Sequence, residues 1–145
     1  MNAALLLGVV VGVSAPTIKD PPKKPPAIVG EWELESLTVD GAEAPPERLR
    51  YKFSADGKWV ICCGTREMTG LNRGYEVDAK ANPPRIDLVT DTRLKDSIRT
   101  EGIFKLDGDT LTLCTAAVSS KRPTGFVSST DKRANLYVFK RVKKE

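Results

Sequence analysis

Residues 28–39 restrict the fold more than any other part of the sequence, because their side chains alternate in character. The apolar side of this stretch, drawn as an extended chain, carries Ile28, Gly30, Trp32 and Leu34. Three glutamates lie on the other side. This two-residue period is typical of a β-strand with one buried face. The apolar set changes parity at Leu37, so a β-bulge is expected near Ser36.

Seven further segments show strand patterns separated by turn residues. They are residues 49–53, 58–63, 66–78, 85–91, 97–106, 110–116 and 136–142. Asp-Gly pairs mark hairpin turns at Asp56 and Asp107. Residues 45–48 predict the first turn of a short helix, because proline is tolerated there. Residues 118–133 are rich in serine, threonine and lysine, and they predict a long loop.

Eight sequential antiparallel strands, each with one buried face, leave a free strand edge at both ends of the sheet. Closure into an up-and-down barrel removes both edges. The sequence therefore predicts an all-β fold, an eight-stranded antiparallel barrel in which the last strand pairs with the first. A two-sheet sandwich is the alternative that also protects the edges.

The composition excludes several classes of chemistry. The 145 residues include no histidine, which excludes Ser-His-Asp and Cys-His catalysis and every histidine metal site. Charged residues make up 29% of the chain, the net charge is +4, and both signs are interspersed. Nucleic-acid proteins more often carry a basic stripe, so no nucleic-acid partner is expected. The protein is expected to be neither an enzyme nor a cofactor protein.

Residues 1–15 predict a signal peptide. Their core, residues 3–13, is an unbroken run of alanine, leucine, glycine and valine followed by small residues. The run is too short to cross a bilayer comfortably as a helix, so no stable membrane span is expected. Residues 16–27 form a Pro/Lys-rich linker with polyproline II character, and residues 28–145 form the domain. An exported, periplasmic or extracellular monomer is expected.

Seven motifs together are similar to a known family. They are Ile28-Val-Gly-Glu-Trp-Glu-Leu34, Asp40-Gly41, Pro45-Pro46-Glu47, Asn82-Pro-Pro-Arg-Ile-Asp-Leu88, Gly102-Ile-Phe-Lys-Leu-Asp-Gly-Asp-Thr-Leu-Thr-Leu-Cys114, Arg122-Pro-Thr-Gly-Phe126 and Leu136-Tyr-Val-Phe-Lys-Arg141. The chain resembles small exported domains known mainly from planctomycete bacteria, a lipocalin-like family without an assigned biochemical role. Gly125 stands where that family usually has glutamate.

The pair Gly30 and Trp32 is also similar to the motif that starts lipocalins. In that motif the tryptophan closes one barrel end, and an arginine from the last strand lies on it. The resemblance implies that Arg141 lies against Trp32. Such a cation–π contact is structural and is worth about 0.5–2 kcal/mol.

The three cysteines leave the disulfide state open. Cys62, Cys63 and Cys114 allow one pair with one free thiol, or no pair. Cys114 can pair with either Cys62 or Cys63 if the third and seventh predicted strands face each other across the interior. The alternative is three small buried apolar residues. A metal site is not expected, because the thiols lack a fourth ligand and the usual spacing.

Charged side chains near turns receive structural interpretations. Asp107 and Asp109 fit the hydrogen bonding of a tight turn, and Asp87 alternates outward, as a surface residue would. Arg122 in the long loop has the chemistry to hold a carboxylate or a phosphate. The favoured interpretation is an anchor for the loop, with Arg122 pairing locally and Phe126 plugging the barrel mouth.

Most residues expected to point inward are large. They are Trp32, Leu34, Tyr51, Phe53, Trp59, Ile61, Tyr75, Val77, Ile86, Leu88, Ile98, Phe104, Leu106, Leu111 and Leu113. Thr100 and Gly102 are small, so a small apolar pocket is expected beside them. The ligand-binding candidates are Tyr51, Tyr75, Leu88, Thr100, Gly102 and Phe104.

Two functions fit this sequence. The first is a non-enzymatic binding module for a small apolar or amphipathic ligand. The second is a structural or protein-interaction domain of the cell envelope, with a barrel filled by side chains and an envelope protein as its partner. The volume of the interior cavity distinguishes the two.

Overall fold

The computed structural model describes residues 26–45, 48–68, 71–91, 97–117 and 120–143. The expected signal peptide, residues 16–25 of the expected linker, and Pro46 and Glu47 of the expected helical turn lie outside this part. The regular elements in the described ranges are all strands, so the all-β prediction is confirmed. No helix in these ranges is long and apolar enough to span a membrane.

Ten antiparallel strands form one curled sheet, a half-barrel. The strands are β1 (Gly30–Val39), β2 (Ala42–Ala44), β3 (Leu49–Phe53), β4 (Trp59–Cys63), β5 (Arg66–Glu67), β6 (Arg73–Asp78), β7 (Arg85–Asp91), β8 (Ser97–Asp107), β9 (Thr110–Ala116) and β10 (Ala134–Arg141). The order across the sheet is β5-β4-β3-β1-β10-β9-β8-β7-β6, and the short β2 pairs with β1.

The pairing of the first long strand with the last is confirmed. β1 and β10 are antiparallel neighbours from the Trp32–Arg141 pair to the Val39–Asn135 pair. Their register shifts between Leu34 and Ser36, which is the predicted bulge. This pairing places both strands in the middle of the sheet, where neither presents a free edge.

The predicted fourth strand, residues 66–78, is wrong as a single element. Its first part is β5, which pairs with β4 at Cys62 and Cys63, and its second part is β6, which pairs with β7. The chain must leave β4 before it can pair with β7, so one straight strand cannot pair with both. One isolated bridge, between Lys58 and Gly74, links β4 to β6 where the two ends of the curled sheet approach.

The concave face of the sheet holds the main core. Its buried members are Ile28, Trp32, Leu34, Tyr51, Phe53, Trp59, Tyr75, Ile86, Leu88, Phe104, Leu111, Leu113 and Phe139, with Ile61, Val77 and Leu106 partly buried against them. Of the predicted inward residues, Ile98 alone is wrong, since it is 55% exposed. The reason is that β9 pairs with β8 from Gly102 onward, so Ile98 lies beyond the end of its neighbour.

A second, smaller core lies on the convex face. Ile103, Cys114 and Ala134 are buried there, with Phe126 and Leu136 packed against them. These strand residues have the opposite parity to the concave core, so the loop after β9 folds over the outside of the sheet. The prediction that Phe126 plugs the barrel mouth is therefore wrong. Its ring covers apolar side chains on the outer face, and Lys105 Nζ lies 4.9 Å above the ring.

Candidate functional site

A cluster around Trp32 joins the start of β1 to the end of β10. The Arg141 guanidinium carbon lies 4.2 Å from the centre of the Trp32 ring, which confirms the predicted contact. Arg141 also donates hydrogen bonds to the carbonyls of Val29 and Ala27, each 3.1 Å long. Gly30 lies against the Arg141 side chain, since a Cβ at Gly30 would lie 2.7 Å from Arg141 Nη1. The cluster joins both ends of the domain. The Arg141 guanidinium is bound to carbonyls and to the Trp32 ring of the same chain.

Aromatic rings fill the concave interior around Tyr51. The ring centre of Tyr51 lies 4.9 Å from that of Phe139, 5.1 Å from Trp59, 5.9 Å from Tyr137 and 6.3 Å from Phe53. Such spacings are those of packed aromatic pairs. Burial, together with the neighbouring Tyr137, raises the pKa of Tyr51 well above its ordinary value. The Tyr51 hydroxyl therefore stays protonated and serves as a packing group.

The remaining ligand-binding candidates lie side by side. Tyr75, Leu88 and Thr100 form one row across β6, β7 and β8. The Tyr75 hydroxyl donates a 2.6 Å hydrogen bond to the Ser54 carbonyl, and burial raises the pKa of Tyr75. Phe104 is buried in the same core. Sequence patterning thus grouped these side chains correctly on one face.

The space expected beside Gly102 is occupied. A Cβ at Gly102 would lie 2.8 Å from the Cys114 carbonyl oxygen, 3.2 Å from Thr115 Cγ2 and 3.5 Å from Ile86 Cγ2. Neighbouring chain atoms, rather than a cavity, explain why glycine stands here. The expectation of a pocket at this glycine is therefore wrong at that position. The periodicity gave the direction of each side chain but carried no information on how closely the strands approach.

The cysteines lie on different faces. All three are free thiols. Cys114 is buried in the convex core and burial raises its pKa, whereas Cys63 is exposed, with its Sγ 3.7 Å from Met68 Sδ. Cys62 is half-buried, and burial raises its pKa as well. A Cys114 pair across the interior is excluded by the position of Cys114 on the outside, and the alternative of three buried residues holds for Cys114 alone.

Arg122 anchors the long loop to the convex face. Its guanidinium donates a 2.8 Å hydrogen bond to the Gly102 carbonyl, and its Nη2 lies 2.7 Å from Asp87 Oδ1. Arg122 therefore acts as an anchor, but its partners lie on β7 and β8, so the expectation that it pairs locally is wrong. Asp87 is not a simple surface residue, because it is only 16% exposed and also pairs with Arg99. Hydrogen bonds from Arg99 to Glu76 and Asp87 raise the pKa of that guanidinium.

Beside this anchor the loop encloses a recess of about 360 Å³. Its two walls are the segments 120–127 and 131–134, and its lining residues are Ser120, Lys121, Arg122, Pro123, Thr124, Gly125, Val127, Asp131, Lys132, Arg133 and Ala134. The Ala117 N–H donates to the Arg133 carbonyl, so the start and the end of the loop are tied together between β9 and β10.

Four cationic side chains and one carboxylate line the loop recess. Arg122 is engaged by Asp87, whereas Lys121, Lys132 and Arg133 form no ion pair among the described residues. All three are exposed. Sequence reasoning missed this grouping. The available signal was a Lys-Arg dipeptide near each end of the loop, at 121–122 and at 132–133.

Comparisons with family models, characterised proteins and solved structures find no match to this chain. The resemblance to the lipocalin-like exported family accordingly stays a prediction. The loop recess and the aromatic packing around Tyr51 are the two features on which a function can be argued.

Proposed function

We propose that the protein is an exported, non-enzymatic interaction domain of the cell envelope, and that it recognises its partner with the loop side of its convex face. The observation that carries this proposal is the packing around Tyr51, which contacts four aromatic rings in the concave interior. A carrier of apolar molecules needs an internal cavity, and ligand pockets usually measure about 300–1,000 Å³.

The position of the loop recess supports the same proposal. Function in β-rich domains concentrates on loops that a rigid sheet positions. The long loop is held by the Arg122 contacts, by the packing of Phe126 in the convex core, and by the Gly41 N–H, which donates to Ser128 Oγ. These anchors lie at three separate points, so the loop offers a shaped surface rather than a flexible strap.

The proposal includes a finer reading of the fold. Without the short β2, and with β5 counted together with β6, eight long strands remain in the predicted order. The Lys58–Gly74 bridge and the 2.9 Å hydrogen bond from the Tyr75 N–H to the Gly57 carbonyl support closure of the sheet as an eight-stranded, lipocalin-like barrel. Barrels of this size are just wide enough to be filled by side chains.

Titration of a solvatochromic naphthalene probe tests the proposed function. We expect wild-type protein to give no saturable fluorescence change, because aromatic rings occupy its interior. The matched control is Leu113→Ala, which truncates a fully buried interior side chain and leaves a cavity. Engineered apolar cavities of this kind bind small apolar molecules.

The competing function is a carrier of a small apolar or amphipathic ligand, with Tyr75, Leu88 and Thr100 at its site. Saturable binding of the probe by wild type, weakened by Leu88→Trp, would favour the carrier and reject the filled interaction domain. Binding by Leu113→Ala alone would favour the interaction domain. Gly102→Leu is unsuitable as a filling variant, because its Cβ meets the Cys114 backbone at 2.8 Å.

A further inference from the structure

We infer that the loop recess binds an acidic peptide segment of a protein partner, through carboxylates that pair with Lys121, Lys132 and Arg133. This inference rests on the proposed interaction function and names the chemistry of its partner. Four of the residues that line the recess are cationic and one, Asp131, is acidic. A concave site lined mainly by one sign of charge concentrates ligands of the opposite sign.

The chain's own acidic groups leave these cations available. Arg122 is only 21% exposed and is held by Asp87, with Glu101 3.9 Å away, so it serves as the floor of the site. Lys121 and Lys132 belong to the two different segments that line the recess, 120–127 and 131–134. Neither pairs with a carboxylate among the described residues. A bound segment can therefore pair with a cation from each of these segments.

The shape of the recess favours a peptide over other anions. A volume of about 360 Å³ falls in the range of ligand pockets and far exceeds the size of one phosphate group. The recess is concave, which suits an extended peptide better than a flat bilayer surface. Val127, which is 51% exposed, and Pro123 add apolar contacts of the kind a peptide side chain uses, and Ser120 and Thr124 add hydroxyls.

Gly125 offers a direct test of the site. It lines the recess, and a Cβ built on it meets no atom within 4 Å. Its φ is not in the left-handed region, so a side chain there is not strained by the backbone. A glutamate at this position would place a tethered carboxylate in the recess that Lys121 and Lys132 also line, where it competes with the partner. A glutamine of the same size lacks that charge.

The experiment is calorimetric titration of the purified full chain with N-acetylated tetraglutamate amide, and with the tetraglutamine peptide as its uncharged match. We expect saturable binding of tetraglutamate alone. The double variant Lys121→Gln/Lys132→Gln should weaken it about tenfold, since two partly exposed ion pairs together are worth about 1–1.5 kcal/mol. The control Lys80→Gln/Lys143→Gln removes the same charge from exposed lysines elsewhere, and it should change the affinity less than about twofold.

Gly125→Glu should abolish tetraglutamate binding, while Gly125→Gln retains most of it. Equal weakening by the control double variant, or undiminished binding to Gly125→Glu, would overturn the inference and leave a general attraction to a basic protein. Displacement of the peptide by equimolar inorganic phosphate would overturn the peptide assignment, as would binding of phosphatidylglycerol vesicles without peptide binding. The naphthalene probe reports on the interior alone, so loss of this inference leaves the test of the proposed function intact.

Discussion

The Arg141 guanidinium carbon lies 4.2 Å from the centre of the Trp32 ring and joins the last long strand to the first. Trp32 is fully buried, and its Nε1 donates a 2.8 Å hydrogen bond to the Ile28 carbonyl. Arg141 adds hydrogen bonds to two further carbonyls of the entering chain. One side chain therefore holds the start of the domain, the ring and the end of β10 in a single arrangement.

Arg141→Ala should lower the free energy of unfolding by about 2 kcal/mol. The variant removes a cation–π contact and two charge-assisted hydrogen bonds from a partly buried group. Urea unfolding of the variant measures the effect. The control is Lys143→Ala, because Lys143 is 80% exposed and makes one loose ion pair with Asp109. A loss no greater than that of the control would contradict the role assigned to Arg141.

Arg122→Ala should detach the long loop while the sheet stays folded. The variant loses the hydrogen bond to the Gly102 carbonyl and the ion pair with Asp87, and we expect a stability loss of about 1–2 kcal/mol. Faster proteolytic cleavage within residues 120–133 measures the detachment. Arg122→Lys should recover little, since one ammonium cannot reach the carbonyl and the carboxylate in the geometry of the planar fork. Lys121→Ala, next to it but exposed, should leave the cleavage rate unchanged.

The three thiols should react with iodoacetamide in a fixed order under native conditions. Cys63 is exposed and should react first, and the half-buried Cys62 should follow more slowly because burial raises its pKa and lowers its thiolate fraction. Cys114 should be modified only on unfolding. Mass spectrometry of peptides after timed pulses gives the order. Early modification of Cys114 would contradict its burial under the loop.

Stability should fall as the pH rises past the ordinary tyrosine pKa. Burial, and then the neighbouring Tyr137, raise the pKa of Tyr51 above its ordinary value of 10.0. The folded protein then keeps a proton that the unfolded chain releases, so the free energy of unfolding decreases with increasing pH. Tyr51→Phe should flatten this decrease between about pH 9 and about pH 11. Equal slopes for the variant and wild type in urea unfolding would show that Tyr51 does not contribute.

Residue periodicity was sufficient to place the long strands and nearly all inward side chains, since alternation depends only on local chain geometry. Because an open sheet of eight strands would leave two unprotected edges, the pairing of β1 with β10 could also be predicted. The prediction that Ile98 is buried was wrong because the length of β9 decides whether a residue on β8 is covered. The prediction of one strand over residues 66–78 was wrong for a similar reason, since the two parts of that segment pair with different strands.

For the candidate site too, some features follow from the sequence and others only from the tertiary structure. The sequence by itself determined which residues face inward, that histidine chemistry is excluded, and that Arg122 stands in a long loop needing an anchor. Only the tertiary structure decided that the loop lies on the convex face, that Gly102 adjoins the Cys114 backbone, and that two Lys-Arg pairs meet around one recess. These outcomes depend on distances between segments far apart in the chain, and neither composition nor periodicity encodes such distances.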